Sequence, residues 1–395
     1  MRAAVLFEEN EPLEVVEVDL ADPGPGEVRV RLAATGLCAS DWHTITGAIP
    51  SPTPSVLGHE GAGVVVSVGQ GVRRVAPGDH VVLSWVPNCG YCRYCETGRP
   101  NLCATATPAL LAGTLVSGAR RLSHRGLPLY HYSFLSTFAE ETVVDEAACV
   151  VVRDDVPLSV AALVGCAVTT GYGAVVNRAR VEPGATVLVF GAGGVGLSAV
   201  MAARSSGARH VVAVEPEATK RALALELGAT HAVDPSGEDV AATVRGLTDG
   251  EGVDVAIEAA GRVELVGVAF GLTRRGGTIV CVGVPAVGSS ASLPGPELVR
   301  HEKVVTGSLY GSCRPHVDMP RILDLYAEGR LPLDRLVTRT YTLDEINAGF
   351  LDLVSGRLAR GVVTFPDATD AAPAASGATG APGSTGAPGS TPGEG

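Results

Sequence analysis

The sequence predicts an α/β protein in which a β-rich unit is followed by a doubly wound, parallel sheet. Short alternating segments separated by Pro-Gly turns occupy the N-terminal part of the chain as far as Leu83. From residue 187 onward, apolar strand patterns alternate with helix patterns, and repeated βα units of this kind form parallel sheets. The strand pattern at 187–190 runs directly into a glycine-rich turn, an Ala-rich helix and a second strand that ends in an acid.

Composition limits the class of protein. The 395 residues leave room for two domains with sizeable cores, and 46% of them are hydrophobic. A net charge of −12 argues against a nucleic acid or an anionic membrane as partner. No apolar run approaches the roughly 18 residues of a membrane span, and the N-terminus turns acidic too early for a signal peptide. Nine cysteines without an export signal indicate metal ligands and free thiols, so a cytoplasmic location is expected.

The β-rich unit is predicted to consist of short strands whose loop ends carry cysteine and histidine. Strands are predicted at 3–7, 14–18, 28–32, 64–68, 80–83 and 143–152. The segment 104–138 is interpreted as an irregular, solvated loop over the cleft, and a contribution to a substrate pocket is the alternative.

The second part of the chain alternates between strand and helix patterns. An apolar helix is predicted at 159–176, before the first strand of the sheet. Strands are predicted at 187–190, 210–214, 253–257, 278–282, 304–307 and 361–365, and helices at 197–205, 217–227, 238–247, 262–272, 317–328 and 343–355. Residues 367–395 are mostly Ala, Gly, Pro, Ser and Thr, and this lack of apolar bulk predicts a disordered tail.

The glycine turn at 191–196 has the context of a dinucleotide site. Gly191 permits a tight turn, Gly193 lets a pyrophosphate approach the backbone, and Gly196 lets helix and strand pack closely. The N-terminus of the following helix offers N–H groups and a positive dipole end to the phosphates. A purely structural βαβ crossover is the alternative, because a GxGxxG turn alone is a weak signal.

An acid at the end of the second strand indicates which dinucleotide binds. Glu215 lies 19 residues after Gly196, near the spacing at which an acid bonds the adenosine ribose hydroxyls. Its charge repels a 2′-phosphate, so NAD is favoured over NADP. Lys220 and Arg221 follow closely, and a basic residue at this place leaves NADP binding open.

Four cysteines have the spacing of a closed zinc site, and they are Cys89, Cys92, Cys95 and Cys103. Four thiolates this close in a reducing compartment bind zinc tetrahedrally, and the glycines and proline between them supply the turns. Four free thiols on a surface loop are the alternative, which is disfavoured because exposed clustered thiols oxidise readily. The spacing therefore predicts a structural zinc ion that holds together a loop with few apolar residues.

Three further residues of ligand type, Cys38, His59 and Cys166, each lie near a glycine. Two thiolates and one imidazole form an open zinc site with a fourth position for water or substrate. Zinc as a Lewis acid lowers the pKa of an alcohol, and the resulting alkoxide is the better hydride donor. The alternative is that both cysteines are ordinary buried thiols. The cysteine lobe and the dinucleotide turn in the same chain favour the metal site.

The alcohol proton needs a path to solvent. Ser40 is predicted to bond the substrate oxygen, with the proton passing by way of the ribose to His43 near the surface. Asp41 is suited to hold a ligand or to support one from behind. Glu60 is predicted to act as a transient or indirect partner of the metal.

These motifs resemble those of the zinc-dependent medium-chain alcohol dehydrogenases. The first ligand motif of that family resembles GLCASDWH at 36–43, its zinc signature resembles GHEGAG at 58–63, and its third ligand motif resembles GCAVTTGYG at 165–173. The four closely spaced cysteines match its structural zinc lobe. The resemblance implies a GroES-like catalytic domain over 1–167 with the lobe at 89–103, a Rossmann domain over 168–309, and a return to the catalytic domain over 310–366.

The resemblance also implies cofactor contacts and a branch of the family. Contacts are expected from Thr170, Gly191, Gly193, Gly194, Val195, Gly196, Glu215, Lys220, Val282, Val284 and Arg360. Arg360 is expected to pair with the pyrophosphate, whereas Ala39 stands where the family often has a pyrophosphate-binding Arg or His. The setting of Cys166 favours the alcohol and thiol-dependent (class III) formaldehyde dehydrogenases. The runs at 85–92 and 307–315 are similar to actinobacterial members, some of which hold NAD(H) permanently.

The sequence therefore predicts a zinc-dependent oxidoreductase that interconverts an alcohol and an aldehyde or ketone with NAD. The expected cofactors are NAD and two Zn²⁺ ions per chain, one catalytic and one structural, and the expected partner is a small-molecule substrate. The alternatives are a thiol-dependent formaldehyde dehydrogenase, a nicotinoprotein and a non-catalytic NAD-binding scaffold. The resemblance implies a homodimer or homotetramer, since cofactor-domain sheets of the family often pair edge to edge.

Overall fold

Four separate sheets are present in residues 1–366, the part of the chain that this computed structural model describes. The predicted tail at 367–395 lies outside the described residues. The strands are β1 (Arg2–Leu6), β2 (Glu14–Glu17), β3 (Asp19–Leu20), β4 (Glu27–Gly36), β5 (Ser55–Val56), β6 (Gly61–Val68), β7 (His80–Leu83), β8 (Leu122–His124), β9 (Leu127–Pro128), β10 (Tyr130–His131), β11 (Glu141–Asp145), β12 (Cys149–Val151), β13 (Thr186–Phe190), β14 (His210–Val214), β15 (His231–Val233), β16 (Val253–Glu258), β17 (Thr273–Cys281), β18 (Val304–Gly307), β19 (Val337–Tyr341) and β20 (Arg360–Thr364). The α-helices are α1 (Ala39–Ile45), α2 (Arg93–Glu96), α3 (Thr107–Ala112), α4 (Leu158–Val164), α5 (Ala167–Gly173), α6 (Gly194–Ser205), α7 (Ala218–Glu226), α8 (Val240–Leu247), α9 (Val263–Leu272), α10 (Gly295–Arg300), α11 (Pro315–Ala327) and α12 (Ile346–Val354).

The β-rich unit is built around β4, which is buried along most of its length. The seven-stranded sheet has the order β12-β7-β6-β4-β20-β19, and β11 pairs with the first half of β4. β20 comes from the end of the described chain and pairs antiparallel with the second half of β4, which places Val362 opposite Gly36. The last strand therefore lies next to the segment that carries Cys38.

The second large sheet confirms the predicted doubly wound architecture. Six parallel strands lie in the order β15-β14-β13-β16-β17-β18. In chain order this is 3-2-1-4-5-6, an arrangement that binds ligands at the carboxyl ends of the central strands. β13 is fully buried and β16 almost so, as expected when helices cover both faces of a parallel sheet.

A continuous apolar core joins the two units and includes residues of both, such as Leu37 and Val189. Helices α5 and α6 approach each other closely at Gly171, where a Cβ would lie 2.1 Å from the carbonyl oxygen of Val195. A larger residue at this position would push the two helices apart. Glycine therefore lets the helix that follows Cys166 reach the glycine turn.

The predicted helix at 159–176 is broken in the structure. It is divided into α4, α5 and a π-helical turn at Ala174–Ala179. The break lies at Cys166, whose φ of −145° and ψ of −76° are not helical. In residues 1–366 no single helix has the length and apolar character needed to cross a membrane. The helices at 158–164 and 167–179 have that length and apolar character only when they are taken together, and a 49° bend separates them.

Two further predictions differ from the structure. The predicted strand at 143–152 is divided by a 3₁₀ turn at Glu146–Ala148, because β11 pairs with β4 whereas β12 pairs with β7. The segment 104–138, interpreted as irregular, contains α3 and the short strands β8, β9 and β10. Pairing partners that lie far away in the chain decide the local structure at β11 and β12, and also at β8 and β10, which pair with β3 and β5.

Candidate active site

Three buried side chains, those of Cys38, His59 and Cys166, converge where the two units meet, and we call them the three-ligand cluster. Their ligand atoms all lie within 4.8 Å of one another. Cys38 immediately precedes α1, His59 lies between β5 and β6, and Cys166 lies at the break between α4 and α5. Gly58 has a φ of +89°, and a Cβ there would lie 2.6 Å from Thr137, so glycine is required for the turn that places His59.

A buried carboxylate orients the histidine of the cluster. Nδ1 of His59 lies 3.0 Å from Oδ1 of Asp41, and the same oxygen accepts the N–H of Gly58 at 3.2 Å. This contact occupies Nδ1 and leaves Nε2 as the ligand atom of the imidazole. Asp41 therefore supports the ligand from behind, which is one of the two roles considered for it from the sequence.

The surroundings of the cluster favour a bound cation. Burial lowers the pKa of His59, but the Asp41 carboxylate and Cys38 together raise that pKa well above its ordinary value. A hydrogen bond with Cys166 holds the pKa of Cys38 well below its ordinary value, against the effect of burial. A thiolate is a donor that zinc prefers. The cluster therefore fits a zinc ion with one open coordination position.

Behind the cluster, Glu60 and Arg360 form a buried ion pair through Oε2 and Nη2. The other oxygen of Glu60 accepts the N–H of Ala167 at 2.7 Å, directly after Cys166 in the chain. Burial raises the pKa of Glu60, although Arg360 and the N–H of Ala167 stabilise its charged form. Glu60 thus ties the backbone next to Cys166 to the side chain of Arg360, and its direct contact with a metal stays a prediction.

Arg360 also borders the glycine turn. A Cβ on Gly194 would lie 2.4 Å from Cδ and 2.8 Å from Nε of Arg360. That Nε is buried and has no hydrogen-bond acceptor within residues 1–366. A buried guanidinium donor without an acceptor, beside the N-terminus of α6, fits a phosphate group.

The glycines of the turn have three different surroundings. Gly191 has a φ of +89°, which favours glycine, and a Cβ on Gly196 would lie 1.8 Å from the carbonyl oxygen of Gly191. Gly193 precedes α6, and a Cβ there would have no atom within 4 Å. Gly194 and Val195 form the first turn of α6. The open space beside Gly193 therefore lies where the sequence predicts the pyrophosphate.

The remaining predicted cofactor residues lie around this turn or at the same edge of the sheet. Glu215 directly follows β14, and its Oε2 accepts the N–H of Ala192 at 2.7 Å. Val282 and Val284 follow β17, where Val284 is 60% exposed. Thr170 is buried on α5 next to Gly171, and Lys220 is half-buried on α7.

The predicted proton path begins on α1. Ser40 and His43 are three residues apart on this helix, so they lie on the same face. The carbonyl oxygen of Ser40 accepts hydrogen bonds from the hydroxyls of Thr44 at 3.1 Å and Tyr132 at 3.3 Å. The hydroxyl of Ser40 and the ring of His43 make no hydrogen bond to other residues in the described range, so both are available to a ligand.

The second ligand group is the four-cysteine lobe, residues 89–103. Its sulfurs lie 3.5 Å apart for Cys92 and Cys95, 4.0 Å for Cys89 and Cys95, and 4.0 Å for Cys92 and Cys103. A tetrahedral zinc ion places four thiolate sulfurs about 3.8 Å apart, so the lobe fits one ion. The lobe also contacts the segment that follows β18, the last strand of the parallel sheet. Nδ2 of Asn101 donates to the carbonyl oxygen of Leu309 at 3.0 Å.

Comparison with known proteins agrees with this geometry. The family described as "Alcohol dehydrogenase GroES-like domain" matches residues 24–154, and "Zinc-binding dehydrogenase" matches residues 194–328. The provisionally named alcohol dehydrogenase D of Mycobacterium tuberculosis is 46% identical over 364 residues, which cover 91% of this chain and 98% of that protein. The chain belongs to the zinc-dependent medium-chain alcohol dehydrogenase family.

Further members of this alcohol dehydrogenase family are also similar along almost their whole length. The NDMA-dependent alcohol dehydrogenase of Amycolatopsis methanolica is 43% identical over 365 residues, which cover 92% of this chain and 98% of that protein. The solved structure of an alcohol dehydrogenase zinc-binding domain protein from Burkholderia ambifaria superposes with a TM-score of 0.89 and 37% identity, covering 92% and 98% of the two chains. The protein with the present sequence is accordingly an NAD-linked, zinc-dependent oxidoreductase, and small-molecule alcohols or aldehydes are its substrates.

Two aromatic residues that support the alcohol dehydrogenase site were missed by the sequence predictions. The hydroxyl of Tyr310 donates to the carbonyl of Gly165, just before Cys166, and its ring stacks on Trp85 with centroids 4.4 Å apart. Tyr310 has a φ of +53°, and a Cβ on the following Gly311 would lie 2.1 Å from the carbonyl oxygen of Thr169. A Tyr-Gly pair in a loop has no spacing rule, so its contact with the ligand segment could not be inferred.

Proposed function

We propose that the protein oxidises an alcohol to an aldehyde or ketone, and catalyses the reverse reaction, at the three-ligand cluster, with NAD bound across the turn at 191–196. One observation carries the proposal. Arg360 pairs with Glu60 behind the cluster and borders Gly194 in the turn, so a single buried side chain links the two sites. Hydride transfer needs the alcohol and the nicotinamide to be held side by side, and this arrangement supports that geometry.

The ligand-holding roles follow from the contacts. When bound, zinc would supply a Lewis acid that lowers the pKa of the alcohol hydroxyl, and NAD would supply a hydride acceptor. Cys38, His59 and Cys166 hold the catalytic ion, and Asp41 fixes the tautomer and orientation of His59. Nε of Arg360 and the N–H groups at the start of α6 hold the pyrophosphate. Cys89, Cys92, Cys95 and Cys103 hold the structural ion.

The proton leaves through α1. Oγ of Ser40 accepts the proton of the alcohol as its own hydroxyl proton passes on, by way of the ribose, to the imidazole of His43, which gives it to solvent. Thr44 and Tyr132 keep Ser40 in place through its carbonyl oxygen. The other proposed cofactor contacts are Glu215 to the adenosine ribose, with Gly191, Gly193, Gly194, Val195, Gly196, Thr170, Lys220, Val282 and Val284 lining the site.

The proposal extends to domain limits, assembly and location. We propose a catalytic domain over 1–167 and 310–366 and a cofactor domain over 168–309, because β13 to β18 form the parallel sheet and β20 returns to β4. The outer edge of β18 has no partner strand in residues 1–366, which supports a homodimer formed edge to edge. The nine cysteines are all free, which supports a cytoplasmic location.

The test combines metal content with a substrate panel. Protein purified without added metal should contain two zinc ions per chain and turn over alcohols with added NAD and no thiol. Turnover that requires a low-molecular-weight thiol would favour the formaldehyde dehydrogenase. NAD(H) retained through gel filtration, with turnover only on an external acceptor, would favour the nicotinoprotein. One zinc ion and no turnover would overturn the proposal in favour of a scaffold. The same gel filtration separates the dimer from the tetramer.

A further inference from the structure

Arg221, on α7, lies beside Glu215, the residue that follows β14, and both Nη atoms of its guanidinium contact the protein. Nη1 donates to the carbonyl oxygens of Glu215 at 2.8 Å and Pro216 at 2.5 Å. Nη2 pairs with Oδ2 of Asp234 at 3.0 Å, and the arginine side chain is only 19% exposed. Three acceptors therefore hold this arginine at the carboxyl ends of β14 and β15.

Asp234 is itself fixed in position. It directly follows β15, its Oδ1 accepts the N–H of Ser236 at 2.9 Å, and its own N–H donates to Glu238 at 2.9 Å. The backbone contact to Ser236 and the charge of Arg221 lower the pKa of Asp234, so its carboxylate is charged at neutral pH. Asp234 is therefore a preformed anchor for the guanidinium.

The carboxylate of Glu215 is held just as firmly. One oxygen accepts the N–H of Ala192 at 2.7 Å and the other accepts the N–H of Glu217 at 3.1 Å. The proposed ribose site thus contains a fixed negative charge, while the nearby arginine is bonded to the protein. Recognition of a 2′-phosphate needs the opposite arrangement, a guanidinium with open donors and no adjacent carboxylate.

We propose that Asp234 is a cofactor-selectivity residue, which keeps Arg221 bonded to the protein and thereby denies it to the 2′-phosphate of NADP. The inference rests on the proposed placement of NAD at the turn 191–196. It assigns rejection of NADP to two elements, the charge of Glu215 and the anchoring of Arg221 by Asp234. Asp234 acts through Arg221 and is a positioning residue, since it does not touch the ribose itself.

The test measures dissociation constants for NADH and NADPH by fluorescence titration, on protein freed of bound nucleotide with charcoal. Glu215→Ser removes the fixed charge. Asp234→Asn removes the charge that pairs with Nη2 of Arg221, so that Nη2 can turn to a ligand while the backbone carbonyls still hold Nη1, and it keeps an oxygen for the N–H of Ser236. We expect the double variant to bind NADPH about tenfold or more tighter than Glu215→Ser alone, the gain typical of one charge-assisted contact. Addition of Arg221→Ala should abolish that gain.

Controls separate the possible failures. Glu226→Gln removes a carboxylate from the same helix α7 without touching Arg221 and should leave the ratio of the two constants unchanged. Asp234→Ser is a second release variant in case the asparagine folds poorly. The role of Asp234 is overturned if Glu215→Ser alone binds NADPH as tightly as the two double variants that combine it with Asp234→Asn or with Asp234→Ser. Wild type that binds neither nucleotide overturns the proposed cofactor site as well.

Discussion

The lobe at 89–103 and the three-ligand cluster bring thiols to a common point by different means. In the lobe, the sulfurs of Cys89 and Cys103 accept backbone N–H groups from the same segment. In the cluster, the ligands come from three distant segments and are fastened by buried charges, among them Asp41 and Glu60. The lobe is therefore a local structure, whereas the cluster depends on the whole fold.

The two regions also differ in exposure. Three of the four lobe cysteines are partly exposed, whereas all three cluster ligands are buried. A surface loop can be held by its metal alone, because metal binding provides the folding free energy of the loop. A buried site with an open coordination position must keep its geometry while substrate enters, which requires supporting hydrogen bonds. The comparison predicts that damage to the cluster affects chemistry and that damage to the lobe affects stability.

The largest expected effect is on chemistry at the cluster. Cys38→Ser replaces a thiolate by a poor zinc ligand, so we expect zinc content to fall from two ions to one. Turnover should fall roughly 10⁴-fold, about 5.5 kcal/mol of transition-state stabilisation. Metal analysis and steady-state kinetics measure both. Cys149→Ala removes a buried thiol outside either ligand group and is the control. Unchanged turnover in Cys38→Ser would contradict the assignment of the cluster.

The next effect concerns the charges that support the cluster. Glu60→Gln leaves the buried guanidinium of Arg360 without its counter-charge, so the free energy of unfolding should fall by about 3–5 kcal/mol. Urea unfolding of the zinc-loaded protein measures it. Glu328→Gln breaks the exposed pair with Arg330 and should change stability by about 0–1 kcal/mol. Similar losses for the two variants would show that burial of the first pair has no special importance.

A smaller effect is expected at the lobe. Cys103→Ser should remove the structural ion and lower the free energy of unfolding by about 3 kcal/mol, the value for closing a loop of this length. Thermal unfolding and zinc analysis measure the two changes. The catalytic ion and most of the turnover should remain. A loss of turnover as large as that of Cys38→Ser would mean that the two regions are not separable.

The smallest effect is expected from the Tyr310 hydroxyl, and it tests whether the cluster depends on supporting hydrogen bonds that the lobe does not need. Tyr310→Phe leaves the buried carbonyl of Gly165 without its donor, at a cost of about 1–3 kcal/mol. We expect a chelator to remove the catalytic ion faster from this variant, while release from the lobe stays unchanged. Tyr326→Phe, on α11, is the control because that hydroxyl makes no hydrogen bond among the described residues. Equal release rates for wild type and Tyr310→Phe would rule out a role for this contact.

The elements that the sequence predicted well are those fixed by local patterns. The strands at 80–83, 210–214 and 304–307 have the predicted bounds. Each carries a short apolar pattern within one segment, and the first two strands are mostly buried. The prediction of one helix at 159–176 was wrong. The break at Cys166 is surrounded by apolar residues, and their pattern does not indicate a break. The apolar pattern of the predicted strand at 143–152 likewise does not show that its two halves pair with different strands, β4 and β7.

The amino-acid sequence by itself determined the fold class and indicated which residue types are suited to bind metal, because spacing and periodicity are properties of single segments. Its short motifs also carried the resemblance to the family. Only the tertiary structure decided that Arg360 joins Glu60 to the glycine turn, and that Asp234 holds Arg221. Arg360 and Glu60 are 300 residues apart in the chain, and they meet because β20 pairs with β4. Such contacts depend on which distant strands pair with one another, and the spacing of residues within one segment does not show that pairing.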